Sequence, residues 1–78
     1  MMALLVFYKR IREDTIQVEY QFGTTDDNLD RNLVIDKRTR EFRSTNSPVD
    51  GLLRAATGRI LGRVRSDGAW PEGGIIQS

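Results

Sequence analysis

Hydrophobic and polar residues alternate over the first part of the chain, and this alternation predicts β-strands. It is most regular between Thr15 and Phe22, where every second residue is hydrophobic or aromatic. Alternation with a period of two is typical of an antiparallel strand with one buried face. We therefore expect four side chains of this strand to face the core: Ile16, Val18, Tyr20 and Phe22.

Three further segments carry weaker strand patterns. Leu4–Ile11 is rich in residues with high β-propensity, Asp30–Asp36 alternates, and Thr39–Ser44 is short and basic. A turn is expected at Glu13–Thr15. Asp36–Arg40 predicts a hairpin loop, because an aspartate at the first turn position accepts hydrogen bonds from the amides that follow.

A helical pattern begins near Ser47. Ser47 is a natural N-cap, and Pro48 fits the first helical position. We expect an amphipathic helix from Pro48 to about Ser66, with Gly68 as its C-terminal stop. The hydrophobic residues of this segment follow helical spacing, and they are Val49, Leu52, Leu53, Ala56, Ile60 and Val64.

Together these elements predict a fold of the α+β class in a single domain, residues 1–78. An antiparallel meander of three or four strands, about residues 3–44, precedes one C-terminal helix, about residues 48–66. The helix packs on one face of the sheet, giving the order β-β-β-β-α. Residues 67–78 are expected to form an irregular tail in which Trp70 folds back over the helix end or the sheet. The last four residues either add a short strand or fray.

The composition excludes several classes of site. None of the 78 residues is a cysteine or a histidine. Disulfides, the usual zinc, haem and iron–sulfur sites, and Ser-His-Asp or Cys-His catalysis are therefore excluded. The acidic stretch Asp26–Asp30 resembles the start of a calcium loop, but Arg31 and Lys37 replace the required glycine and glutamate. We expect no enzymatic activity, no catalytic residue, no cofactor and no metal.

The amino-terminal segment does not match a targeting signal. Met1–Tyr8 is apolar but lacks the basic region and the cleavage site of a signal peptide. No segment approaches the roughly 20 apolar residues of a membrane span. We expect a cytoplasmic protein without membrane attachment.

Charge is unevenly distributed, although the formal net charge is only +1. Residues 1–12 and 37–65 carry an excess of arginine and lysine, whereas residues 13–36 are strongly acidic. Such asymmetry indicates an anionic partner or self-complementary association. Alternatively, the acidic and basic segments neutralise each other within one fold.

The predicted helix carries a row of small residues opposite its hydrophobic face, although a glycine in a helix interior costs about 1 kcal/mol relative to alanine. Arg54 and Arg65 lie on one side of this row, and Arg59 lies on the other. A trough of this kind admits a second helix or a phosphate backbone. Alternatively, small residues on a solvated face need no functional explanation. The row consists of Gly51, Ala55, Gly58 and Gly62.

These patterns predict a small protein-interaction module that associates with itself or with another protein. The alternative is a nucleic-acid-binding domain in which arginines of the fourth strand and the helix contact phosphates. The predicted interaction surface combines the small residues with arginines of the helix and of the fourth-strand region. Its members are Gly51, Arg54, Ala55, Gly58, Arg59, Gly62, Arg65, Arg38, Arg40 and Arg43.

Three segments, Asp30–Phe42, Gly51–Ala56 and Gly68–Gly74, are together similar to small uncharacterised actinobacterial proteins. The resemblance covers most of the chain from about Tyr20 onwards. It implies a short, single-domain, cytoplasmic and non-enzymatic protein with a tryptophan-proline tail. It assigns no functional residue.

Overall fold

The structure, a computed structural model, describes residues 5–25, 27–46 and 48–77. The described residues contain one antiparallel sheet and one helix, which confirms the predicted α+β class. The elements in chain order are β1 (Leu5–Glu13), β2 (Gln17–Gly23), β3 (Arg31–Asp36), β4 (Phe42–Arg43), α1 (Gly51–Asp67) and β5 (Gly73–Gln77).

The sheet has five strands in the order β4-β3-β2-β1-β5, rather than three or four. The extra strand is β5, which agrees with the alternative that the end of the chain adds a short strand. The expectation of an irregular tail over residues 67–78 is wrong for Gly73–Gln77. Two side chains hold the segment before β5 against the sheet. The Tyr20 hydroxyl donates to the Pro71 carbonyl at 2.7 Å, and the Arg10 guanidinium donates to the Trp70 carbonyl at 3.1 Å.

The core lies between the sheet and α1. The predicted burial of Val18, Tyr20 and Phe22 is confirmed, since all three are completely buried. The predicted packing of α1 on one face of the sheet is also confirmed, because Leu53, Ala56 and Ile60 belong to the same cluster. That cluster consists of Val6, Tyr8, Val18, Tyr20, Phe22, Leu33, Ile35, Leu53, Ala56 and Ile60. Val49, which was predicted on this face, precedes the helix and is 52% exposed.

Ile16 does not face the core as predicted, and its side chain is 67% exposed. The Asp14 carboxylate accepts hydrogen bonds from the Ile16 and Gln17 amides, both at 2.8 Å. These bonds form the turn between β1 and β2 and place Ile16 at its tip. The two amides also lower the pKa of Asp14.

The turn between β3 and β4 has the predicted aspartate at its start. The Asp36 carboxylate accepts from the Arg38 and Thr39 amides at 2.8 and 2.9 Å, and these amides lower the pKa of Asp36. Arg40 adopts a left-handed backbone with φ of 65°, a conformation that glycine adopts more readily. The expected fourth strand, Thr39–Ser44, is shorter in the structure and spans only Phe42–Arg43.

Helix α1 starts three residues later than predicted. Asp50 is its N-cap, and the Asp50 carboxylate accepts from the Leu53 amide at 3.0 Å. Ser47, the predicted cap, lies outside the described residues. Gly68 ends the helix as predicted, in a left-handed conformation with φ of 75°. No helix in the described part of the chain is long and apolar enough to cross a membrane.

Trp70 follows the helix and packs, half-buried, against the hydrophobic core, in agreement with the prediction that it folds back. The Arg40 guanidinium lies over the Trp70 ring, with 5.1 Å between the guanidinium carbon and the ring centroid. This contact joins the turn after β3 to the segment after α1.

Candidate interaction surface on the outer face of α1

Helix α1 has two contrasting faces. Leu53, Ala56 and Ile60 are completely buried against the sheet. On the opposite face, Gly58 and Gly62 are exposed, and a Cβ added to either would meet no atom within 4 Å. The row of small residues therefore faces away from the core, as the helical spacing predicts.

A shallow groove of about 570 Å³ follows this outer face. Small residues form its floor, and arginines stand on both sides. We call this surface the α1 groove; it is lined by Arg54, Ala55, Gly58, Arg59, Gly62, Arg63 and Ser66. The remaining glycine of the row, Gly51, begins the helix and is also exposed, with open space where a Cβ would stand.

The arginines around the groove are largely without anionic partners. Arg63 forms an ion pair with Asp67, with 3.2 Å between Nε and Oδ2. Within the described residues, the side chains of Arg54, Arg59 and Arg65 form neither an ion pair nor a hydrogen bond. All three residues are exposed. The groove therefore presents uncompensated positive charge to solvent.

The carboxylates of the acidic segment neutralise cations elsewhere. Glu13 forms an ion pair with Lys37, with 2.7 Å between Oε2 and Nζ, and this contact lowers the pKa of Glu13. Glu19 forms a second ion pair with Arg12, with 3.8 Å between Oε1 and Nη2. The two charged halves of the chain thus partly neutralise each other within the fold, but at the sheet rather than at the outer face of α1.

Asp50 is held by a side chain from the sheet. The Arg31 guanidinium donates to the Asp50 carboxylate at 2.9 Å and to the Pro48 carbonyl at 3.2 Å. The Arg31 guanidinium also lies 4.8 Å from the Phe22 ring centroid. The contact with Arg31, together with the Leu53 amide, lowers the pKa of Asp50. This carboxylate is therefore engaged and does not neutralise the groove.

The three arginines predicted from the fourth-strand region do not form one surface. Arg43 is paired with Val34, whose neighbours in β3 face the core, so Arg43 lies on the sheet face opposite α1. Arg40 lies on the helix side, where it lines a cavity of about 170 Å³ with Leu61 and Arg65. Arg38 lies at a separate cavity, lined also by Thr15, Ile16 and Asp36.

The arginines of the α1 groove are chemically suited to binding anions. Guanidinium groups bind carboxylates and phosphates through paired hydrogen bonds. Among the described residues, no three acidic side chains cluster closely enough to hold a metal ion. Asp26, the first residue of the calcium-like stretch, lies outside the described residues.

Comparison with known proteins gives no family assignment, since no family model, curated protein or solved structure matches this chain. The resemblance to small actinobacterial proteins therefore stays a prediction.

Proposed function

We propose that this protein is a small non-enzymatic binding module that holds an acidic segment of another protein in the α1 groove. The observation that carries the proposal is the uncompensated charge of Arg54 and Arg59, which line the groove, and of Arg65, which lies on the same helix at the adjoining cavity. Small residues let a partner backbone approach closely. The guanidinium groups of arginines on both sides of the groove then donate paired hydrogen bonds to carboxylates of the partner.

The same charge argues against a second copy as the occupant of the groove. A two-fold contact between identical helices would place the arginines of one copy against those of the other. Like charges facing each other across an interface oppose association. The groove is therefore matched to an anionic partner, and self-association through another surface is left open.

Nucleic acid is the second candidate, and the position of Arg40 favours it. Arg40 and Arg65 line the same cavity, so positive charge extends from the helix towards the β3–β4 turn. A phosphate backbone would contact such a surface without reading sequence. Arg43 lies on the opposite sheet face and could not join this contact. The basic surface is therefore smaller than the combined helix-and-strand surface that the sequence predicts.

Two triple variants with the same net charge test the proposal. Arg54→Gln, Arg59→Gln and Arg65→Gln together remove the unpaired cations in and beside the groove and leave Arg63, which is paired with Asp67. Lys9→Gln, Arg38→Gln and Arg43→Gln serve as the control, because these three exposed cations lie outside the groove. Each triple variant takes the formal net charge from +1 to −2. Fluorescence anisotropy measures the binding of a labelled glutamate-rich helical peptide and of random-sequence duplex DNA at several salt concentrations.

We expect the groove variant to bind the peptide about tenfold more weakly than the wild-type protein, since each exposed ion pair contributes up to about 1 kcal/mol. The control variant should retain most of the wild-type affinity. Equal losses in the two variants would contradict a specific groove and indicate only a net-charge effect. Binding to DNA but not to the peptide, with a steep salt dependence, would favour the second candidate.

A further inference from the structure

The two edges of the sheet differ in whether their main-chain groups are occupied. At the β3–β4 edge, the Asn32 amide donates to the Asn46 side-chain oxygen at 3.1 Å. The Thr45 amide donates in turn to the Asn32 side-chain oxygen at 2.9 Å. The edge strand here, β4, spans only two residues, and beyond it a side chain occupies the outward amide of Asn32, so this edge offers an added strand little length to pair with.

No described residue pairs with the outer edge of β5. Strand β5 pairs with β1, and no other strand within the described residues lies beside it. The Arg10 amide donates to the Glu72 carbonyl at 2.7 Å. This hydrogen bond shows which residues of β5 direct their main-chain groups towards β1 and which direct them away. Main-chain groups of alternate residues point to the same side of a strand. Gly74 and Ile76 lie two and four positions after Glu72 and therefore also direct their main-chain groups to β1. Those of Gly73, Ile75 and Gln77 point outward.

Nothing in the sequence of β5 protects this edge. Gly73–Gln77 contains no charged residue and no proline. Charged residues and proline commonly prevent an edge strand from pairing with another chain. Ile75 is 57% exposed on the sheet face away from α1. Its direct neighbour on β1 is Phe7, which is half-buried, and Leu5 on the same face is also exposed. An apolar strip therefore runs up to the open edge.

We propose that β5 pairs antiparallel with β5 of a second copy, forming a ten-stranded sheet across a two-fold axis. Residues whose main-chain groups point outward must lie opposite each other in the two strands. The register with the longest overlap places Ile75 of one protomer opposite Ile75 of its partner. Gly73 then lies opposite Gln77 of the other protomer. This register forms about six main-chain hydrogen bonds and joins the two apolar strips.

A second copy is favoured over an open chain of subunits because the other edge strand, β4, has only two residues. Among the described strands at the two edges, only β5 is long enough to form a ladder, so pairing uses the same strand twice and ends at a dimer. No charged residue of Gly73–Gln77 opposes its counterpart, in contrast to the arginines of the α1 groove. Opposed residues of antiparallel strands share a face, so both helices lie on the same side of the joined sheet, with both grooves exposed.

The contact is small, and this sets the expected strength of the dimer. Two five-residue strands and their isoleucines bury less than the roughly 1,200–2,000 Å² of a standard stable interface. We therefore expect a weak dimer that dissociates on dilution. Sedimentation velocity over a wide range of protein concentrations measures the dissociation constant.

Ile75→Lys is the decisive variant, because it places two ammonium groups opposite each other at the two-fold axis. We expect dimerisation to weaken at least about tenfold. Ile16→Lys is the matched control, since Ile16 is 67% exposed at a turn away from β5 and should leave the dimer unchanged. A wild-type protein that is monomeric at every concentration overturns the proposal. A dimer that tolerates Ile75→Lys also overturns it.

Cross-linking tests the register independently. The chain has no cysteine, so Ile75→Cys introduces a unique thiol. Opposed residues of a hydrogen-bonded antiparallel pair have Cα atoms about 5.5 Å apart, which is within the range of a disulfide. Mild oxidation should convert Ile75→Cys to a covalent dimer much faster than Ile16→Cys. Equal rates for the two variants would contradict the two-fold axis at Ile75.

Discussion

Gly23 in the sheet and Gly58 in the helix are glycines for different physical reasons. A Cβ on Gly23 would lie 2.5 Å from the Asn28 carbonyl oxygen and 3.3 Å from the Leu29 Cα. A Cβ on Gly58 would meet nothing within 4 Å. Packing of the folded chain therefore requires glycine at position 23 and makes no such demand at position 58. The helix glycines lower the stability of the helix, and no close packing contact within the monomer requires them.

The largest expected effect is at Gly23. Alanine at this position cannot fit unless the loop carrying Asn28 moves away from β2, because the obstructing atom belongs to the backbone. We expect Gly23→Ala to lower the free energy of unfolding by about 2 to 3 kcal/mol, which is typical of overpacking. Urea denaturation measures the loss.

Thr24→Ala is the control for Gly23→Ala. Thr24 is the next residue and is exposed, so its truncation should change the free energy of unfolding by no more than about 0.5 kcal/mol. If Gly23→Ala were equally mild, the loop over β2 would be easily displaced and the contrast with Gly58 would disappear.

The outer face of α1 should respond in the opposite direction. We expect Gly58→Ala and Gly62→Ala each to raise the free energy of unfolding by up to about 1 kcal/mol, because alanine has the higher helix propensity and the space is open. Gly58→Leu, which fills the α1 groove, should keep the fold but weaken peptide binding. A destabilising Gly58→Ala would show that the helix glycines do have a packing role.

Local patterns predicted the elements whose ends are set by neighbouring residues. The buried alternation of Val18, Tyr20 and Phe22 and the left-handed stop at Gly68 are examples, although the strand was predicted to start two residues too early, at Thr15. The helix start was predicted three residues early, because Ser47 and Asp50 are both good caps. In the structure Asp50 also pairs with Arg31, a contact between residues 19 positions apart that no local pattern contains.

Surface features were also predictable only where they depend on residues close in the sequence. Helical periodicity was enough to place Gly58 and Gly62 opposite the core. It could not show that Arg43 lies on the far side of the sheet, because this depends on strand pairing. It could not identify the open β5 edge either, since the residues that hold the tail against the sheet, Arg10 and Tyr20, are distant in sequence.

The smallest expected effect concerns Asp50, at the end of α1 where the row of small residues begins. Arg31 and the Leu53 amide lower the pKa of Asp50, so its stabilising contribution is complete well above the unfolded value of about 3.9. That contribution is lost as pH falls through the lower, folded value. We therefore expect Asp50→Asn to be less stable than the wild-type protein at neutral pH, and the difference to vanish in acid.

Thermal unfolding of both proteins between pH 7 and pH 2 measures this difference directly. The comparison with wild type cancels the parallel contributions of Asp14, Asp36 and Glu13, whose pKa values are also lowered. Asp30→Asn controls for the loss of one exposed negative charge. A stability difference that persists unchanged at low pH would mean that Asp50 acts through the shape of its side chain and not through its charge. Arg31 would then hold the helix start through Pro48 and Phe22 alone.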